Sequence, residues 1–548
     1  MAEGSRRWWA LVAMAASVLV VGLDLTVLNL ALPSIAAQLH ASTGDLQWVA
    51  DAYSLVLAAA MLPAGRLGDR YGRKRILLIA LALFGISSVL CSYAANTGEL
   101  IAARAILGVG AAAIFPLSLS VIPVMFAPEE RQKAIALMAS ATYLSFPIGP
   151  VVGGYLLDHF WWGSVFLINV PIVALALIAV IFLLPESRSG RRPGIDGIGV
   201  VLSSAGLTGV TYGFIKAGQN GWGDTSAIVT MVAGLIVLAV FVAWERRRRA
   251  AGNDGAGQPL IELALFRSGG FTWGTVLTTL VSFAMFGLFF ALPQYFQGVL
   301  GFDAMGSGLR LLPLVGGLVV GMIGGTVLAS RRRGASRRRL PSSLVPRSSV
   351  QATPRPFGAV SAKLLVAVGF LIMAIALGLG ATTSVSSGTG FAATWVALAG
   401  LGLGIAMPQA MNAALGALAP DRAGSGSALL SALRQVGATI GVAILGTVLS
   451  SGYHARLAVA DLPGSLAAAV KNSVAGGVEV AKTLHSTALL DNVRTAFAHG
   501  MDVMLWACGG IALASAILAL IFLPRQASGP AGEVVAGESA AERAGLPS

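Results

Sequence analysis

The sequence predicts an all-α membrane protein of fourteen transmembrane helices, built as two six-helix bundles with an inserted helix pair. Three observations lead there. The chain of 548 residues is 56% hydrophobic and only 11% charged, with a mean hydropathy of +0.80. A soluble chain of this length needs a more polar exterior, so lipid must solvate most of this one. Apolar runs of about 20 residues, the length that crosses a bilayer, recur along it, and basic residues cluster between alternate runs, as cytoplasmic loops do.

In order, the runs are 9–31, 47–65, 76–95, 99–122, 134–157, 163–184, 197–217, 226–245, 270–293, 307–330, 363–381, 391–416, 425–450 and 501–524. The first is too long for a secretory signal, carries Asp24 at its middle and leads into another span, so it reads as a retained helix. With the N-terminus in the cytoplasm, 29 of the 37 basic residues fall in cytoplasmic segments. Four more, Arg456, Lys471, Lys482 and Arg494, share one outer loop, and Arg104, Lys216, Arg310 and Arg434 lie in spans or at their edges. A wrong span count would scramble this alternation. Both termini are therefore expected in the cytoplasm. Arginine outnumbers lysine 31 to 6, the bias of a GC-rich bacterial genome, so the expected location is a bacterial cytoplasmic membrane.

The spans divide the chain into a first bundle (1–184), a linker carrying spans 7 and 8 (185–269), a second bundle (270–524) and a cytoplasmic tail (525–548). Within the second bundle, 331–362 has two arginine triplets followed by Pro- and Ser-rich sequence, and reads as a disordered cytoplasmic linker drawn to anionic headgroups. Its Leu344–Ser348 resembles a thrombin site, by chance composition or by insertion. The other long segment, 451–500, reads as a partly ordered extracellular hairpin.

Several function classes drop out. The formal charge of +13 sits in short clusters between apolar runs rather than in a patch, so no nucleic acid is expected as partner. Cys91 and Cys508 each lie in an apolar run and form no disulfide or metal motif. No histidine has metal-like spacing, and no phosphate-binding G-x-x-x-x-G-K-[ST] loop occurs. No nucleophile, acid or metal-ligand set converges as an enzyme requires, so the chain reads as a non-enzyme without cofactor.

Motifs then assign work to the spans. Between spans 2 and 3 stands Gly65-Arg66-Leu67-Gly68-Asp69-Arg70-Tyr71-Gly72-Arg73-Lys74-Arg75. Its glycines allow a tight turn, Asp69 can cap a helix or pair with arginine, and the arginines hold the loop at the membrane surface. This spacing, G-x-x-x-D-x-x-G-R-[KR]-R, resembles the signature loop of the major facilitator superfamily. Asp24-Leu25-Thr26-Val27 through Ala31-Leu32-Pro33 in span 1 resembles a motif of its fourteen-span drug:proton antiporters. Gly149-Pro150-Val151-Val152-Gly153-Gly154 in span 5 resembles their antiporter motif, with Ser145 in place of its first glycine. Phe166–Pro171, Met407-Pro408 and Ala423–Gly426 are similar to later family segments, and Trp48–Ala58 and Gly477–Lys482 are similar to the quaternary-ammonium pumps within the family. The resemblance implies that Gly65, Asp69, Arg70, Gly72 and Arg73 form a cytoplasmic latch. It also implies that Gly149, Pro150, Gly153 and Gly154 form the hinge between the halves, and that proton flow rather than ATP drives transport.

Charge inside a span costs at least ~2.5–3.5 kcal/mol at the helix centre, so it signals function. In the first bundle Asp24, Asp51 and Arg104 are the candidates. A carboxylate in a dry cavity binds its proton tightly, and a nearby arginine weakens that hold, so joining or separating the two loads or releases a proton. The plainer reading is that Arg104 pairs with Asp24 or Asp51 and only fixes packing. By resemblance Asp24 and Arg104 occupy proton-coupling positions, and Asp51 an acidic position of the quaternary-ammonium pumps. The second bundle departs from those pumps: Leu318, Leu430, Ser431 and Gln435 stand where they have acids, and its spans read as lacking a central carboxylate. Arg434 in the cavity would favour neutral or anionic drugs; a structural role at a helix interface is the equal alternative.

The expectation is therefore proton-coupled efflux of lipophilic drugs or antibiotics by a monomer that alternates access across the bilayer. Rivals are a dedicated exporter of one antibiotic or metabolite, an importer of the same superfamily, and a non-transporting sensor or enzyme.

Overall fold

The computed structural model describes residues 3–126, 128–187, 196–250, 263–337, 362–385, 387–418, 423–459 and 462–524. These residues form helices and short turns, with no strand. The N-half comprises α1 (Glu3–Leu39), α2 (Thr43–Tyr71), α3 (Arg73–Ser92), α4 (Thr97–Met125), α5 (Pro128–His159), the short α6 (Ser164–Leu167) and α7 (Asn169–Leu183). Next come α8 (Gly197–Asn220) and α9 (Thr225–Ala250). The C-half comprises α10 (Gly269–Gln294), a π-helical turn (Tyr295–Val299), α11 (Ala304–Arg337), α12 (Ala362–Gly380), α13 (Thr389–Leu415), α14 (Ala423–Arg456), α15 (Gly464–Asn472), α16 (Val474–Thr483) and α17 (Thr487–Phe522).

Helix starts follow local chemistry. Ser42 and Asp45 form a capping box at α2, each bonding the other's backbone N–H at 3.1 and 2.9 Å. Asn96 caps α4, and Asp196 caps α8 through the Gly199 N–H at 2.9 Å. Between these ends, unbroken apolar sequence lets each helix satisfy its own backbone, the condition for crossing lipid.

The packing repeats. In the N-half α1 lies on α5, α2 on α4, α3 on α4 and α7. In the C-half α10 lies on α14, α11 on α13, and α12 on α13 and α17. The halves meet where α2 touches α14 and α5 touches α11. The pair α8–α9 packs on itself and reaches both halves through α8, which rests on α2 and α14. Asp196 ties that pair at one end, accepting from the Trp244 indole at 3.2 Å and from Arg248 at 2.8 Å. Large apolar side chains such as Leu175, Phe182, Val201, Ile236, Trp506 and Ile521 stay exposed around the outside, the surface lipid would cover.

Among the described residues, twelve helices are long and apolar enough to cross a membrane, against the fourteen expected. The other two expected spans fall on α2 and α5, which have the length at 29 and 32 residues. Some side chains of both lie outside the described set, so length and composition alone do not add them to the twelve. Two expected loops differ. Residues 331–337 continue α11 instead of opening a linker, and 338–361, with the thrombin-like stretch, lie outside the described residues, as does the 525–548 tail. The 451–500 segment is mostly helical, being the end of α14, the α15–α16 hairpin and the start of α17. Tyr453 of α14 donates to Val470 O at 2.7 Å and binds that hairpin to the bundle.

The face carrying Arg6, the α2–α3 turn, Glu186 and Leu523 is here called the terminal face, and the opposite one the distal face. Hydrogen bonds join the halves toward the distal face. Asp158 at the end of α5 accepts from the first N–H groups of α11, Ala304 at 3.1 Å and Met305 at 3.0 Å. Gln297 donates to Leu30 O at 3.0 Å, Gln47 to Ala443 O at 3.1 Å, and Thr43 to Asn472 O at 2.9 Å.

Candidate transport site

Halfway along α1, Asp24 is buried and its Oδ2 forms an ion pair with the Arg104 guanidinium from α4. Arg104 is 0% exposed. Its Nε donates to Val49 O at 3.1 Å, and the guanidinium lies 4.4 Å from the Tyr53 ring centre and 5.8 Å from that of Phe166. Desolvated cation–π contacts of this kind contribute about 2 kcal/mol. On the other side, Asn169 Nδ2 reaches Asp24 Oδ1 at 3.4 Å and Ser88 Oγ at 3.3 Å. Six elements, α1 to α4, α6 and α7, thus converge on one buried pair. Removing either charge would leave the other stranded, which costs about 3–5 kcal/mol in buried pairs.

Asp51 is not part of this pair. It is 0% exposed, and both carboxylate oxygens lack a hydrogen-bond partner. It shares a helix face with Gln47, one turn earlier, which bonds α14, so Asp51 belongs to the side of α2 that meets the C-half. Two buried carboxylates therefore have opposite environments, one paired and one bare.

The loop at the α2–α3 junction is anchored within the N-half. Gly72 has φ +111°, a left-handed conformation that favours glycine, and a Cβ there would lie 2.6 Å from Glu186 Oε1. Arg73 donates from its side chain to Ser120 O at 2.8 Å and from its backbone to Ser187 O at 2.9 Å. Arg70 is exposed, its guanidinium 5.4 Å from the Tyr71 ring. Gly65 faces open space, and the Asp69 side chain lies outside the described set.

The α5 glycines split between two neighbours. Gly149 and Gly153 press on Thr26 and Val27 of α1, while Gly154 meets the Met305 backbone of α11 and the Pro150 carbonyl abuts Gly308. One turn of α5 thus touches its own half and the other. Ser145 is buried, and its carbonyl accepts from Thr26 Oγ1 at 3.4 Å. Arg434 is half-buried on α14. Two hollows occur elsewhere, about 640 Å³ along α8 and about 270 Å³ between α11 and α13, and neither is lined by Asp24, Asp51 or Arg104.

Reading the sequence missed the partners. Asn169 and Ser88 are polar residues in apolar runs, a visible signal, and Asn169 stood inside a quoted motif. Asp502 was missed because the last span was drawn to start at 501. In the structure it lies well inside α17, with Oδ1 buried and without a partner. The second bundle does contain a buried carboxylate oxygen.

Two helical bundles packed against each other, one of them enclosing a buried ion pair, define the class: a membrane carrier. The profile of the Major Facilitator Superfamily matches residues 14–346, and the chain belongs to that family, whose members are transporters and not enzymes. It is 32% identical over 527 residues to the tetracenomycin C resistance and export protein of Streptomyces glaucescens, covering 94% of this chain and 91% of that one. It is 33% identical to the multidrug efflux pump LfrA of Mycolicibacterium smegmatis, over 91% and 92% of the two chains. Among solved structures, a bacterial homologue of the lysosomal transporter Spinster aligns with TM-score 0.61 at 17% identity, over 94% of this chain and 96% of that one.

Proposed function

We propose that this protein exports lipophilic drugs or antibiotics from a bacterial cell, driven by inward proton flow. The observation that carries the reading is the buried Asp24–Arg104 pair at mid-bundle, in a chain whose relatives are named for drug and antibiotic export. A charge pair inside the membrane part is expensive and is economically explained if Asp24 takes up a proton when Arg104 lets it go. In this reading α2 and α5 complete fourteen spans, the terminal face is cytoplasmic, and the carrier works as a monomer in the cytoplasmic membrane. Asp51 and the apolar walls recognise cationic substrate. The α2–α3 loop latches the cytoplasmic side, and the α5 glycines form the hinge.

The driving force is adequate: one proton crossing the potential yields ~2.3 kcal/mol per 100 mV. The test is drug efflux from proteoliposomes under an imposed pH gradient. Wild type should export only with the gradient, and Asp24→Asn should lose the gradient-driven part. Full gradient-driven export by that variant would refute the role of Asp24. A second reading, a dedicated exporter of one antibiotic, is favoured by relatives named for resistance to a single compound, tetracenomycin C or puromycin. Protection against one compound class in a susceptibility panel would select it.

A further inference from the structure

The C-half holds ionisable chemistry that the proposed cycle does not use. Asp502 Oδ1 and the Tyr295 hydroxyl are both buried without a hydrogen-bond partner, and the helix carrying Asp502, α17, packs against the turn that Tyr295 begins. Two further orphaned atoms lie at the same end, Trp395 Nε1 and Thr383 Oγ1. The links are short. A Cβ on Gly380 would lie 2.9 Å from the Trp395 ring and 3.2 Å from Leu505, which is one turn from Asp502. Thr383 N–H donates to Gly380 O at 3.0 Å. Four polar atoms with unmet bonding capacity, from four elements, gather in an otherwise apolar bundle end. Packing alone would select against each of them, because a buried unsatisfied group costs about 1–3 kcal/mol.

Tyr295 also begins the π-helical turn, closed by Leu300 N–H on Tyr295 O at 3.1 Å. Such turns recur at functional positions. Two residues on, Gln297 makes the bond to Leu30 that joins the halves. One five-residue turn thus carries both the Tyr295 hydroxyl and a contact of the distal closure.

We propose that Asp502, with the Tyr295 hydroxyl, is a second proton-binding site, in the C-half, whose occupancy sets the distal closure through the Tyr295–Val299 turn. An ionised Asp502 is acceptor-only and draws the Tyr295 O–H toward it. A protonated Asp502 has its own O–H to donate, and the demand on the turn is released. The proton adds to one carboxylate oxygen and returns to water; no other bond is made or broken. The proposal rests on the proton-driven reading for its purpose in transport, though not for its geometry.

Of the other titratable groups near this end, Arg310 on α11, which packs on the turn, donates to Gly306 O at 2.9 Å and lies over the Phe302 ring. On α14, Tyr453 bonds Val470 O at 2.7 Å and His454 lies 2.9 Å from Lys471 O. Arg456 on α14 and Glu479 and Lys482 on α16 are exposed, and Arg434 lies toward the other end of α14. On α17 itself, His499 and Arg494 lie one and two turns before Asp502, with Arg494 beside Gly301. Helices α10 and α13 carry no titratable residue, and α12 only Lys363 at its opposite end.

The test uses the full chain in liposomes with spin labels at Gln38→Cys and Asp303→Cys, exposed positions on opposite halves of the distal face. Native Cys91 and Cys508 are buried and should not label. Inter-label distances are measured between about pH 5 and pH 9, a range that brackets perturbed carboxylate titrations. Wild type should shift between a short and a long distance. Asp502→Asn and the milder Tyr295→Phe should flatten that shift, while Asp24→Asn should keep it. An unchanged titration in both C-half variants, a wild type that does not shift, or a shift lost with Asp24→Asn would each overturn the proposal. Should Asp502→Asn fail to fold, Tyr295→Phe decides alone. Absence of gradient-driven export alongside an Asp502-dependent shift would sink the drive and leave this site standing.

Discussion

The two halves share a packing plan and fill it differently. In the N-half, α1 to α4 and α7 aim side chains at one buried ion pair, with Asn169, Ser88 and Tyr53 around it. In the C-half, the large cluster around Phe289, Phe296, Phe370 and Trp395 is almost wholly apolar, and among the described residues the unpartnered buried carboxylate oxygen of Asp502 lies toward the distal end. Their helix seams differ as well. Gly149 and Gly153 of α5 press on side chains of α1, whereas their counterparts in the C-half, Gly437 and Gly441 of α14, press on the backbone carbonyls of Thr279 and Phe283 in α10. One half is built around a buried charge pair, and the other around an almost wholly apolar core.

The strongest way to break this contrast is at the pair. Arg104→Ala should destabilise the purified protein by roughly 3–5 kcal/mol by stranding Asp24, seen as a lowered melting temperature in detergent. The double variant Asp24→Asn/Arg104→Gln should regain most of that stability without regaining export. Equal losses in single and double variants would show that the pair is not coupled.

The seams come next. Gly441→Ala forces a methyl against the Phe283 carbonyl and should cost about 1–3 kcal/mol by overpacking, while Gly153→Ala meets the Val27 Cγ1 methyl, which can rotate, and should cost less. Thermal melts of the two variants would test the order, and the reverse order would erase the distinction between the halves. A smaller effect is expected at Asp51. Asp51→Asn should leave the melting temperature unchanged or higher, since it removes an unpartnered charge, and should cut protection against cationic drugs about tenfold, or ~1.4 kcal/mol. Equal loss against neutral drugs would remove Asp51 from recognition. Smallest in its effect on transport is Gly72→Ala, where the left-handed backbone should cost roughly 1–2 kcal/mol of stability and weaken the α2–α3 turn without touching the pair. Trypsin cleavage at Arg70 and Arg73 should speed up while Asp24-dependent export persists.

Much of this was legible in the chain. Hydrophobic run length is a local property, so the helices and their order could be read directly, and Asp24 and Arg104 stood out because charge in apolar sequence is costly wherever it lies. Their pairing over Asp51 was not legible: either carboxylate could have met Arg104, and only the packing of α1 beside α4 chose. The Gly437–Gly441 seam has the same four-residue spacing as Gly149–Gly153 and could have been read, but spacing alone does not say what a glycine faces.

What the sequence by itself determined is the class of the molecule, because lipid solvates any apolar run long enough to cross it. The motif spacings added the family, and both follow from neighbours along the chain. The tertiary structure decided which charges meet. It paired Asp24, left Asp51 bare, packed the helix of Asp502 against the Tyr295 turn and closed the distal end through Asp158 and Gln297. Those outcomes depend on which helices touch and at what height, and residues 80 or more apart in sequence do not encode that in any local pattern.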